Sequence, residues 1–224
     1  MGFPMSGNGM AGKSLKGAST IGPRGQARCQ ALLDAASALF MEKGFEQTTL
    51  NDIFQRAGGS RTTLYEHFGD KAGLFRVMME ENSDRFLDMM AAVAEGERDE
   101  PVEAALTRFG LHFAQCILDP RTTAILRILV AEGNRIPDIA DVFFRDGPDA
   151  AVGRFAAYLR GLADAGILRI ADPEVAAQAF MGMTTGNLLV RRLILPDQPV
   201  PEAEVIDYVA KAVRLFLAGA RPAV

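Results

Sequence analysis

Residues 49–68 read TLNDIFQRAGGSRTTLYEHF. Thr49 and Asp52 are spaced as a capping box, in which side chain and backbone satisfy each other's open groups at a helix start. Leu50, Ile53, Phe54 and Ala57 then fall on one face of a short helix, and Gly58-Gly59 ends it. Ser60 can accept a hydrogen bond from an open amide of a second helix over 61–68, whose inward side is Leu64 and Phe68 at i and i+4. Two short helices joined by a glycine-containing turn make a helix-turn-helix pattern.

Outward from this stretch, helical spacing of apolar residues recurs from Arg24 to Ala218, and alternation of strand period is almost absent. Upstream, Leu32, Ala36, Leu39 and Phe40 form the stripe of a helix stopped by Gly44, with Phe45 packing back. Downstream, Gly69 closes the motif and Asp70 caps a long helix. Pro101, Asp119-Pro120 and Asp172-Pro173 open three more, because proline's missing amide hydrogen goes unpaired in a first turn anyway. The spacing predicts nine helices, over 24–43, 50–57, 61–68, 71–95, 101–118, 120–133, 148–165, 173–194 and 201–218. The expected fold class is all-α, and no repeat of solenoid type is present.

With Leu64 and Phe68 inward, the outer side of the third helix carries Arg61, Thr62, Thr63, Tyr65 and His67, with Glu66 as its one acid. A DNA major groove admits one such helix, and guanidinium, hydroxyl and imidazole groups can reach base edges or phosphates there. The positive helix starts beside Thr49 and Ser60 favour a phosphate. The formal net charge of −4 hides a polarity. Residues 1–76 hold nine Lys or Arg and six Asp or Glu, while residues 77–224 hold fifteen and twenty-two. Lys13, Lys16, Arg24 and Arg28 precede any acid, so residues 1–23 read as a disordered basic arm, either a solvated tail or a groove-seeking one.

The stretch from Ala31 to Phe75, ALLDAASALFMEKGFEQTTLNDIFQRAGGSRTTLYEHFGDKAGLF, resembles the DNA-binding domain of TetR-family transcriptional regulators throughout. The resemblance includes Gly44-Phe45, the Thr48-Thr49 pair, Leu64-Tyr65-x-His67-Phe68 and the following Lys71. It implies Thr49, Tyr65 and Lys71 on phosphates and Arg61, Thr62 and Thr63 nearest the bases. Gly59 stands where the family commonly has valine, and Thr62 where a small residue is common. Residues 125–148, ILRILVAEGNRIPDIADVFFRDGP, and 158–182, YLRGLADAGILRIADPEVAAQAFMG, look like the C-terminal domain of the AefR-like subgroup. This implies a DNA-binding domain over 24–70 and an effector-binding and dimerisation domain over 71–220. The expected partners are double-stranded DNA of pseudo-palindromic sequence, a second copy of the chain and a small hydrophobic effector.

Each site residue also has a plainer reading. Arg61, Thr62 and Thr63 can form a solvated helix face, Lys71 a surface lysine, and His67 a core histidine beside Phe68. Met181, Met183, Thr184, Thr185 and Asn187 combine flexible apolar surface with polar groups, as effector cavities do, though core packing explains the methionines equally well. His112, flanked by Phe109 and Phe113, is either a satisfied histidine or a ligand contact. The candidate effector-pocket residues are Phe109, His112, Phe113, Arg127, Met181, Thr185 and Asn187. Gly182-x-x-x-Gly186 allows close helix approach, in a dimer seam or within one chain.

Two histidines and two cysteines leave little for a metal site or a disulfide framework, and a reducing, cytoplasmic compartment fits. No apolar run approaches the roughly 18–20 residues of a membrane span. No nucleophile-turn motif and no phosphate-cradling glycine loop after a strand is found, so neither an enzyme nor a cofactor is expected. The remaining alternative is a helical ligand-binding or protein-interaction module without DNA binding.

Overall fold

The computed structural model describes residues 22–58, 61–94, 100–136 and 139–220. Residues 1–21 of the arm expected over 1–23, and the expected cap Ser60, therefore lie outside the described residues, as do the side chains of Arg61 and Thr63. Every regular element among the described residues is helical: α1 (Pro23–Lys43), α2 (Leu50–Ala57), α3 (Arg61–Phe68), α4 (Lys71–Ala94), α5 (Val102–Leu118), α6 (Pro120–Glu132), α7 (Ile139–Phe144), α8 (Ala150–Asp164), α9 (Pro173–Ile194) and α10 (Glu202–Ala220). A π-helical segment, Arg145–Asp149, joins α7 to α8, so the chain forms one interrupted rod over 139–164.

The helix starts obey the local chemistry of their sequence. The Thr49 hydroxyl accepts a hydrogen bond from the Asp52 amide at 3.1 Å, and the Asp52 carboxylate accepts one from the Thr49 amide at 2.9 Å. Asp70 accepts from the Gly73 amide at 2.7 Å, Asp119 from the Arg121 amide at 2.9 Å, and Asp172 from the Val175 amide at 3.0 Å.

Two cores follow. In the first, Leu32, Leu33, Ala36 and Phe40 of α1 close over Ile53, Phe54, Leu64 and Phe68. Phe45 sits between Phe40 and Phe75, with ring centroids 5.0 and 5.6 Å away. This core does not stop at Asp70: it takes Leu74, Phe75, Met78 and Met79 from α4, and Ile125 and Ile128 from α6. In the second, Phe109 and Phe155 stack with centroids 3.9 Å apart and Phe180 tilts against both, in one cluster with Val205, Val209 and Val213 of α10. The α4 helix packs on elements of both cores.

The structure differs from the sequence expectation in two places. The helix expected from 148 begins further upstream. Ile139 is fully buried in the first core, and Val142 and Phe143 pack against it, so α7 forms where the pattern was too short to show a period. Pro148, the expected first residue, instead lies inside the wider π turn that joins α7 to α8. The expected straight helix over 173–194 is kinked at Gly186, whose φ is +34°. Its backbone conformation calls for glycine, and a side chain there would also have to displace the Tyr208 hydroxyl of α10. Gly186 thus serves packing within the chain, while Gly182 lies exposed.

Candidate nucleic-acid interface and inner cavity

α3 is held from beneath. Leu64 is fully buried and Phe68 nearly so, which fixes the opposite face outward. Thr62, Tyr65, Glu66 and His67 are exposed, and Tyr65 keeps 56% of its surface in solvent despite its size. His67 is therefore not a core histidine. Thr49 is exposed, but its hydroxyl also donates to the Asp52 carboxylate at 2.9 Å, which engages it in the cap. The Thr49 amide, and after it the Thr49 hydroxyl, hold Asp52 below the usual carboxylate range.

Lys71 has a role that spacing did not reveal. Its Nζ donates to the Phe45 carbonyl at 2.8 Å and to the Glu46 carbonyl at 3.3 Å, and sits 4.4 Å from the Phe45 ring centroid. The ammonium thus ties the start of α4 to the loop between α1 and α2. One N–H direction remains for a further acceptor.

A cavity of about 250 Å3 lies between α4, α5, α6, α7, the π segment, α8 and α9. Phe86, Phe113, Phe143, Ile117, Leu126 and Met181 give it an apolar wall, and Asn82, Ser83, Thr122 and Gln178 supply its polar groups. Beside it, sharing Asn82, Phe86 and Thr122, is an outer pocket of about 300 Å3 bordered by Arg85, Gln115, Cys116 and Asp119. At this seam the Thr122 hydroxyl donates to Asn82 Oδ1 at 3.4 Å. Next to it Arg121 of α6 pairs with Glu81 of α4 at 3.2 Å, both largely buried. Burial pushes the Glu81 carboxyl up and the Arg121 guanidinium down, the cost of desolvating each charge. Arg121 Nε is buried without a hydrogen-bond partner.

Of the expected pocket residues, Phe113 and Met181 stand in the inner wall. The other five do not. Phe109 lies behind Phe113 in the aromatic stack. His112 Nδ1 hydrogen-bonds the Arg108 carbonyl at 2.8 Å, one residue and about 100° round the helix from Phe113. Arg127 is similarly displaced from Leu126 and reaches the Arg192 carbonyl at 3.5 Å. The buried Thr185 hydroxyl donates to the Met181 carbonyl at 3.0 Å, and Asn187 is exposed. Sequence reading looked to α5, α6 and α9 and missed the contribution of α4, whose signal was Asn82-Ser83 interrupting the apolar stripe of Met78, Met79, Phe86 and Leu87.

Comparison with known proteins agrees with this arrangement. Residues 32–78 match the family model for bacterial regulatory proteins of the tetR family. Residues 104–219 match that for the AefR-like transcriptional repressor C-terminal domain. The transcriptional repressor ComR of Escherichia coli is 36% identical over 97 residues, which is 42% of this chain and 44% of ComR. A regulator structure from Mesorhizobium loti superposes with a TM-score of 0.78 at 22% identity, covering 90% of this chain and all of that one. SmeT of Stenotrophomonas maltophilia, the repressor of a multidrug efflux pump, solved with triclosan, gives 0.64 at 27% identity over 88% of this chain and 93% of its own. With both halves matched in order along the sequence, the chain belongs to the TetR family of DNA-binding transcriptional regulators, with an AefR-like C-terminal domain, and is not an enzyme.

Proposed function

We propose that the protein is a dimeric repressor, acting in the cytoplasm, that leaves its operator when a small hydrophobic effector enters the inner cavity. One observation carries this reading: α4 is shared. Its first turns are buried in the core that holds α3, through Leu74, Phe75, Met78 and Met79, and its middle forms the cavity wall through Asn82, Ser83 and Phe86. A ligand that moves the wall moves the rod on which the DNA-reading helix is mounted. The seam of Asn82 and Thr122 is where that motion meets α6.

The apolar outer surface of the last helices supports a dimer. Val175, Val190 and Ile194 of α9 are 59, 50 and 70% exposed, and Leu215 of α10 is 67% exposed. Large apolar side chains on two neighbouring helices favour burial against a second copy. A two-fold pair presents its recognition helices to half-sites about 34–36 Å apart, or a multiple, which makes a pseudo-palindromic operator the matching target. On DNA, Arg61, Thr62 and Thr63 lie nearest the bases, with Thr49, Ser60, Tyr65, His67 and the remaining Lys71 N–H toward phosphates. A 100-fold loss of operator affinity on induction requires about 2.7 kcal/mol of coupling between the two sites.

The test is an anisotropy titration with DNA from upstream of the protein's own gene, with and without triclosan, the compound in the SmeT structure. Tight, salt-sensitive binding by a dimer and its weakening by the ligand are expected. A monomeric protein, or one indifferent to every genomic duplex at low salt, would overturn the reading.

A further inference from the structure

The inner cavity and the outer pocket meet along Asn82, Phe86 and Thr122, and their chemistry differs. The inner wall is built from three phenylalanine rings and aliphatic side chains, with Met181 able to adjust to the shape of a ring. The outer pocket presents the Arg85 guanidinium together with the Asn82 and Gln115 amides. Arg85 is exposed, and its Nε donates to the Glu81 carbonyl at a long 3.4 Å. Among the described residues it forms no ion pair.

Of the acids nearby, Glu81 also attracts Arg85 but is hydrogen-bonded to Arg121, and the Asp119 carboxylate is turned to the start of α6. Glu81 pairs with Arg121 at 3.2 Å. Asp119 Oδ1 accepts from the Arg121 and Thr122 amides at 2.9 and 3.3 Å, as the cap of α6. Burial and Asp119 push the Cys116 thiol up to about 11, which keeps that part of the wall neutral. A guanidinium in a pocket that adjoins an apolar chamber is suited to a planar carboxylate, which it can bind through two parallel hydrogen bonds.

We propose that the effector is an amphipathic organic anion, its aromatic or short aliphatic body in the inner cavity and its carboxylate against Arg85 in the outer pocket. This rests on the effector reading above and adds the head group. Such a ligand spans the Asn82 and Thr122 seam, so its two ends grip α4 from both pockets. A neutral apolar molecule fills only the inner half. A cationic amphipath meets Arg85 with like charge.

Three probes with one body separate the head groups: 4-phenylbutanoate, 4-phenylbutanamide and 4-phenylbutylamine, each titrated calorimetrically into the full-length chain. The carboxylate is expected to bind at least tenfold more tightly than the amide, and the amine most weakly. In Arg85→Gln the carboxylate should fall to the affinity of the amide while the amide is unchanged, which also shows that the variant is folded. Val152→Phe, which fills the inner cavity, should weaken all three. Equal binding of carboxylate and amide, an undiminished preference in Arg85→Gln, or no binding of any probe overturns the proposal. Operator binding by the ligand-free protein, followed in parallel, tests the regulator reading separately and can succeed whichever head group is preferred.

Discussion

The Lys71 ammonium is held by two backbone carbonyls and the Phe45 ring, so it belongs to the platform under α3 before it belongs to any nucleic acid. Arg61, the first residue of α3, has no such duty in the sequence pattern. The two substitutions should therefore part company. Arg61→Ala should leave the melting temperature nearly unchanged, cost about 1–3 kcal/mol in operator binding and relax preference at one base. Lys71→Ala should lower the melting temperature as well as weaken all DNA sequences alike, flattening the salt slope by about one unit. Thermal melts and salt-dependent anisotropy on both variants check this; equal salt slopes with unequal melts would make Lys71 a purely structural tie. Gly73 is a second residue set by close approach, because a Cβ there would run into the Phe68 carbonyl at the end of α3. Gly73→Ala should cost about 1–3 kcal/mol of stability and displace α3, seen as a lowered melt with operator affinity lost disproportionately.

Among elements, α2 depends on its reciprocal cap and α4 on its buried ion pair. Asp52 titrates below its ordinary range because the Thr49 amide and hydroxyl donate to it. Its contribution is therefore fully present above the unfolded carboxylate pKa, about 4, and is lost as pH falls through the lower folded value. Asp52→Ala should destabilise the chain at neutral pH, and the difference from wild type should shrink steadily in melts taken below pH 4. Glu81 behaves in the opposite sense, since burial raises it. Its proton affinity in the fold means that its charged form is tolerated for the sake of Arg121, its partner across the α4–α6 contact. Glu81→Gln leaves that guanidinium with only the weaker field of Asp34 and should cost about 1–3 kcal/mol, reduced from the fully buried case by its residual solvent access. Replacing both, as Glu81→Leu with Arg121→Met, should cost less than the single change by chemical denaturation. If the double variant is the weaker one, the pair stabilises the fold outright.

At the scale of the whole molecule, the proposed dimer rests on Val190 and Ile194, exposed on α9. Val190→Asp with Ile194→Asp should leave the helical content intact and yield a monomer by sedimentation, with operator affinity down at least 100-fold because one half-site alone is engaged; a dimer that survives both charges would move the seam elsewhere. The motif from Thr49 to Phe68 could be read directly, since cap, period and glycine stops are local chemistry and act within a few residues. The buried pair Leu64 and Phe68, and hence the outward side of α3, followed from a helical period alone. The cavity did not. Its wall is assembled from six helices and a π turn, and a one-residue offset on α5 or α6 separates Phe113 from His112 and Leu126 from Arg127, a rotation that only packing fixes. The π segment and the Gly186 kink escaped for the same reason, because each is held by partners remote in sequence, Ser83 beside Gly147 and Tyr208 beside Gly186. By itself, the order of residues determined that the chain is helical, where its helices start, and which short helix faces outward, because hydrogen bonds at helix ends and apolar periodicity are short-range. Tertiary structure alone decided where the inner cavity lies and that α4 both lines it and enters the core beneath α3, because a cavity is the space left when distant surfaces fail to meet.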